Sequence, residues 1–259
     1  MNPDGIDWLL LAPAFVAGLL VLATHVPLGA QVLQRGIVFI DLAIAQIAAL
    51  GVIIAGSGDG DPHGWTVQCA AAIAALLGAL LLTWTEKRWP RVQEAQIGTL
   101  FVLAATGGIL LLAHNPHGGE HLRDLLAGQI LWVTWPQLIL PAAGAVLIVA
   151  LLRILRERLG RVGFYLVFAV AVTASVQLVG VYLVFASLII PSLATRNYAP
   201  RKRLPCAYAI GIAGYAAGLV LSSLFDLPSG ALIVWSLAVL AIAAYAAGPA
   251  DTAAGVRHP

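Results

Sequence analysis

QRGIVFIDLAIAQIAALGVIIAG occupies residues 34–56, and QLVGVYLVFASLIIPSLATR occupies residues 177–196. Both stretches are almost pure hydrocarbon. Each nevertheless carries polar groups or helix-disturbing residues: Asp41 and Gln46 in the first, Gln177 and Pro191 in the second, with glycines in both. A simple lipid anchor has no use for them. Polar groups are costly in hydrocarbon and usually face a bundle interior or a cavity. The two stretches therefore predict a polytopic bundle built around an internal path.

Composition points the same way. Of 259 residues, 61% are hydrophobic and 10% charged, with a mean hydropathy of +0.93. A soluble domain is about 45–50% apolar and about 25% charged. No single core hides that excess, so lipid must cover it. No stretch of soluble-domain length remains beside the apolar runs. The net charge of +2 gives no reason to expect nucleic acid. Cys69 and Cys206 lie far apart, in separate apolar runs, and are not expected to pair. The N-terminal MNPDGIDW lacks the basic region and small-residue cleavage site of a signal peptide. Leu9 onward is therefore expected to be a retained first helix.

A span needs about 20 apolar residues. That rule predicts an all-α membrane protein, one transmembrane domain over 1–259, with helices near 8–29, 36–56, 65–84, 95–113, 137–154, 162–176, 179–195, 206–224 and 230–248. The run 162–195 is long for one upright helix and short for two. A turn over 177–180 gives nine spans; one long or broken helix gives eight.

Basic residues set the orientation. Arg35, then Lys87, Arg88 and Arg91, then Arg153, Arg156, Arg158 and Arg161, then Arg196, Arg201, Lys202 and Arg203 follow alternate spans. Loops 57–64 and 225–229 carry Asp59, Asp61 and Asp226 and no base. The basic loops are expected to be cytoplasmic and the N-terminus outside. Orientation alone suffices to explain these charges. Trp8, Trp65, Trp84, Trp89, Trp132 and Trp135 fall at predicted span ends, where interfacial rings belong.

Several motifs are missing from the sequence. It has no GxxxxGK[ST] loop to cradle ATP phosphates, no HExxH, no GxSxG and no CxxC. A transport function without its own energy module remains.

Five stretches, in order over about residues 10–248, resemble the permeases of the zinc/manganese/iron ABC importers. RGIVFIDLAIAQIAALG at 35–51 resembles the family's RG-xxxx-GDAxSH-xxx-PG helix, and EAQIGTLF at 94–101 its EDxxIGxLF. LLAGQILWVTWPQL at 125–138 resembles its LLFG-[DS]-ILxV loop. VGVYLVFASLIIPSLATR at 179–196 and FDLPSGALIVW at 225–235 resemble VGxLLVxALLIIPAATAR and LDLPSGxxIV. The resemblance implies a homodimer in the bacterial plasma (inner) membrane, with two copies framing one path. It also implies a separate ATP-binding subunit below, a periplasmic or lipoprotein metal receptor above, and a divalent metal as substrate with no permanently bound cofactor. ATP is then bound and hydrolysed by the partner, not by this chain. The segment after Pro191, a kink site, is expected to form a short helix that enters the ATPase. Arg196, Arg201, Lys202, Arg203 and Glu94 are the expected docking residues.

One departure bears on chemistry. Aligned without a gap, the family's Asp falls on Leu42 and its His on Gln46. Asp41 sits one residue early, about 100° around a helix. Sliding the match by one restores the Asp but puts Ala45 where the His belongs. Imidazole favours zinc over harder cations, so the argument for zinc weakens, which leaves an importer of manganese, iron or cobalt, an importer of a chelate, or cation contacts elsewhere in the chain. Asp41, Leu42 and Gln46 are the candidate path residues. Asp41 fits a second role equally well, pairing with Arg35 or reaching the interface; Gln46 also fits helix-to-helix hydrogen bonding. Gly211, Gly214 and Gly218 are expected to be packing residues.

HNPHGGEHLRD at 114–124 brings His114, His117, Glu120 and His121 together on the expected outer side. Three imidazoles and a carboxylate suit a tetrahedral or open metal site; an outward loop that happens to be His-rich is the plainer alternative. Two rival functions remain. A proton-coupled secondary transporter would titrate Asp41 and should show paired broken repeats, which inspection does not find. An intramembrane metal-dependent enzyme would use the histidine loop.

The charge alternation makes a direct prediction. A phosphatase reporter fused after Gly60 should be active outside the cell, and one fused after Lys202 should be inactive. Activity at both positions would break the alternating topology.

Overall fold

The computed structural model describes residues 8–56, 65–113, 126–154 and 160–249. Among them are nine α-helices and no strand. They are α1 (Trp8–Arg35), α2 (Ile40–Gly56), α3 (Trp65–Arg88), α4 (Gln93–Leu112), α5 (Trp135–Ile154), α6 (Gly160–Val179), α7 (Val181–Ala194), α8 (Pro200–Phe225) and α9 (Ser229–Ala246). Seven are long and apolar enough to cross a bilayer; α2, which carries Asp41 and Gln46, and α7, which carries Pro191, are shorter.

The helices overrun the apolar runs at their basic ends. α1 continues to Arg35 and α8 begins at Pro200, because counting apolar residues finds the hydrocarbon portion while the helix extends into the interface. α1 stops at Gly36, which has a φ of 69°. Its N–H donates to Leu33 O at 3.3 Å and that of Ile37 to Val32 O at 3.4 Å. This is the Schellman ending, where a left-handed glycine satisfies the last carbonyls. It delays α2 to Ile40, four residues past the expected start.

The expected turn over 177–180 shrinks to a single residue. α6 runs through Gln177 to Val179, and α7 resumes at Val181. Gly180 sits between them with a φ of 80°. No separate short helix follows Pro191: α7 runs through it to Ala194, and a turn over 195–199 leads into α8. The basic turn therefore hangs directly from a buried helix.

Packing places α2 against α3 and α4, with α6 behind α3. α1 packs on α7 and α8, and α9 covers both α7 and α8. α1 and α6 are the most buried long spans, α4 and α5 the least. Gly211 receives Leu22 of α1, while Gly214 and Gly218 lie against Leu237 and Ile233 of α9, as small residues at helix crossings should. Trp8, Trp65, Trp84, Trp89, Trp132 and Trp135 are all exposed. The basic loops gather at one end. Arg161 Nε lies 3.7 Å from Glu86, Arg35 stacks on Phe164, and Arg203 Nη2 donates to Arg196 O at 2.7 Å.

At the other end three motifs meet. Gly128, with a φ of 69°, lies against Val179 and Gly180, and Gly230 faces Ala127 O. A methyl group on Gly128 would overlap the Val179 carbonyl, and one on Gly180 would overlap the Gly128 amide. The DLPSG turn supplies the third partner. Asp226 adopts the left-handed conformation (φ 53°) that ends α8, Leu227 N–H donates to Ser222 O at 3.3 Å, and Pro228 precedes α9.

Gly180→Ala should therefore destabilise the bundle. A non-glycine residue at this positive φ with extended ψ (163°) costs about 1–3 kcal/mol, and forced overpacking costs about 1–3 kcal/mol more. Thermal unfolding in detergent should show a clear drop. Gly144→Ala, whose added methyl meets open space, should melt like the parent.

Candidate functional site

A cavity of about 1060 Å³ lies among α2, α4, α7 and α9, bounded by the 126–132 segment and the 226–231 turn. It extends from Asp226 and Pro228 at one end to Leu42, near the start of α2. Both short helices, α2 and α7, form its wall. Leu42 and Gln46 face it from one side of α2, as their i, i+4 spacing requires. Tyr182, Phe185 and Ile190 face it from α7, and Phe101 from α4. Gln46 is only 5% exposed, yet it borders this space.

Asp41 is placed differently. It is fully buried in the first turn of α2 and is not among the lining residues. Neither carboxylate oxygen has a hydrogen-bond partner. Pairing with Arg35 does not occur: the Arg35 guanidinium lies 4.0 Å from the Phe164 ring centroid. The positive end of the α2 dipole offers part of the missing compensation. Glu94 reaches the same helix start, where its Oε1 accepts the Phe39 N–H at 3.2 Å. The sequence placed Glu94 at a docking surface; the fold also uses it to cap α2.

Docking candidates otherwise cluster at the basic end. Arg196 is exposed, lies 5.5 Å from the Tyr245 ring centroid and donates to its hydroxyl at 3.4 Å. Arg201 and Lys202 are exposed in the first turn of α8. Arg203 folds back to the carbonyls of Arg196 and Tyr198. Pro191 is buried inside α7, and Thr195 Oγ1 donates to its carbonyl at 3.0 Å. His114, His117, Glu120 and His121 lie outside the described residues. Among the described residues no group of three or more His, Cys, Asp or Glu is placed to hold a metal.

Most of the wall carries no signal in the amino-acid sequence. Gln129 and Trp132 border both the main cavity and a second one of about 510 Å³, which also meets Gln68, Gln137 and Gln177. Gln177 thus serves a helix end at a cavity mouth, not a buried path. The available clue was the glycine in LLAGQIL: a residue that tolerates close backbone approach marks a segment pressed into the fold.

This geometry predicts an accessibility pattern. In a cysteine-free background, Leu42→Cys and Gln46→Cys should react with a small water-soluble maleimide at least about tenfold faster than Asp41→Cys. Equal rates would show that Asp41 shares the cavity.

The ABC 3 transport family model matches residues 7–164 and 155–248. The manganese transport system membrane protein MntC of Halalkalibacterium halodurans is 27% identical over 248 residues, covering 86% of this chain and 82% of that protein. The high-affinity zinc uptake system membrane protein ZnuB of Haemophilus influenzae is 21% identical over 246 residues, covering 87% and 92%. The solved structure of PsaBC from Streptococcus pneumoniae in complex with Fab superposes with a TM-score of 0.72 at 20% identity, covering 92% of this chain and 90% of that one. Family match, chain-length coverage and shared fold agree, and this chain belongs to the ABC 3 transport family.

Proposed function

We propose that this chain is the membrane-spanning permease of an ATP-driven importer of divalent metal, zinc, manganese or iron, in the bacterial plasma membrane. The observation that carries the proposal is the cavity walled by both short helices, with Gln46 on α2 as its polar residue there, in a chain whose family match runs nearly end to end. Relatives named for zinc and manganese uptake support the metal. Two copies frame the path, a receptor delivers the metal from outside, and a separate ATPase supplies the energy. Family membership favours this over the proton-coupled transporter and the intramembrane enzyme.

Each residue has a role in this scheme. Leu42 and Gln46 form the path wall, and Asp41 stands behind it as the acid of the α2 start. Arg196, Arg201, Lys202 and Arg203 present cationic surface to the ATPase, with the Arg196–Tyr245 contact tying that surface to α9. Motion at the docked turn then passes into α7, which reaches the cavity without a break between Val181 and Ala194.

Purified permease in liposomes should neither hydrolyse ATP nor accumulate metal until the ATPase is added. Metal accumulation by the lone chain would overturn the importer and favour proton coupling. Arg196→Glu should uncouple ATP hydrolysis from uptake while membrane insertion stays normal. Asp41→Asn should lower uptake about tenfold or more, equivalent to about 1.4 kcal/mol, with dimer assembly unchanged. A silent Asp41→Asn would make the α2 start a scaffold.

A further inference from the structure

We infer that the metal crosses this permease inside a small organic ligand, as a chelate of low net charge, and not as a cation bound by the wall. The inference rests on the importer function and specifies the form of its cargo. Three observations converge on it. The first is the donor set. Asp226 is the one carboxylate on the described wall, which holds no histidine or cysteine; Tyr182 adds a phenol, and Asp226 sits at the turn between α8 and α9. Gln46 and Gln129 are neutral, and Leu42 is a hydrocarbon. First-row divalent cations take carboxylate, imidazole or thiolate ligands, or keep their water. This wall offers a bare cation little to replace its hydration.

The second observation is size. A hydrated cation with a shell of six or seven waters needs roughly 200 Å³, at about 30 Å³ per water. The cavity holds about 1060 Å³, slightly more than the roughly 300–1,000 Å³ of sites that hold organic ligands. The third is the lining. Phe101, Trp132, Tyr182, Phe185 and Trp235 present five aromatic rings to it. Such rings stack on planar organic groups and do not replace inner-sphere ligands. A chelate carries its own donor atoms. It needs only apolar contact for its body and a few hydrogen bonds for its outer oxygens, which the two carboxamides can supply.

The test uses the permease reconstituted with its ATPase and receptor in proteoliposomes. Zinc and iron are each offered alone and as their picolinate complexes, with the picolinate radiolabelled. ATP-dependent metal uptake should rise about tenfold with the ligand, and the label should enter with the metal. Trp235→Ala should reduce that uptake; Trp235 is 70% exposed in the single chain, so its loss spares the fold. Leu42→Asp together with Gln46→His should gain uptake of zinc offered alone. Metal entering at the same rate with the label left outside overturns the chelate inference and leaves the importer standing. A double variant that assembles but gains no free-zinc uptake also overturns it. No ATP-dependent uptake of any form overturns the importer function, and the chelate inference with it.

Discussion

The backbones of Gly128 and Gly180 touch, with Gly230 close beside them at Ala127, and the shape of the cavity depends on that contact. A side chain at either of the first two positions would push the 126–132 segment away from the α6–α7 joint. The segment carries Gln129 and Trp132, which separate the larger cavity from the smaller one. The same joint redirects the chain at Gly180, so that α7 starts at the cavity and ends at the basic turn. One close approach thus sets the end of the cavity, the start of α7 and the position of the DLPSG turn.

Many polar groups elsewhere in the bundle follow the rule that groups in hydrocarbon find partners, although His25 Nε2 and Thr173 Oγ1 do not. Tyr215 OH lies 2.9 Å from Ser187 Oγ, Tyr208 OH donates to Ala23 O, Gln93 Nε2 donates to Leu82 O and Tyr165 OH, and Ser192 Oγ donates to Val26 O. Such bonds average only about 0.6 kcal/mol each in membranes. Their main effect is to fix helix rotation, since a slipped helix would strand both partners. Asp41 departs from the rule: it is fully buried, and both oxygens lack partners. A cost of that kind persists where the surroundings impose it, and such sites cluster where a protein moves or binds. α2 carries this acid one residue away from the cavity wall, so the packing of its first turn couples the acid's environment to the wall.

The wall explains how a family architecture accommodates altered chemistry. Leu42 and Gln46 share one face by helical periodicity, and that face meets the cavity. Any residue pair at these two positions would do so. In the proposed importer, the backbone provides the address and the side chains the selectivity. In that proposal, hydrocarbon and carboxamide at these two positions leave the helix intact while changing what the path can hold.

Much of this was legible in the amino-acid sequence. Hydrocarbon runs declare helices because a backbone in lipid must satisfy its own hydrogen bonds, and charge alternation declares loops. Asp41 and Gln46 marked α2 because such groups are expensive in hydrocarbon, and Pro191 marked α7 as a helix-disturbing residue in an apolar run. The cavity itself was not legible. Periodicity places Leu42 and Gln46 on one face of α2, but only packing against α4, α7 and α9 decides which face meets the void. Periodicity alone could not tell Asp41, behind the wall, from Leu42 on it. The glycines of LLAGQIL, VGVYLV and DLPSG are separated by tens of residues, and each is unremarkable alone. Close approach of their backbones is a property of three-dimensional contact, and no local pattern encodes the partner.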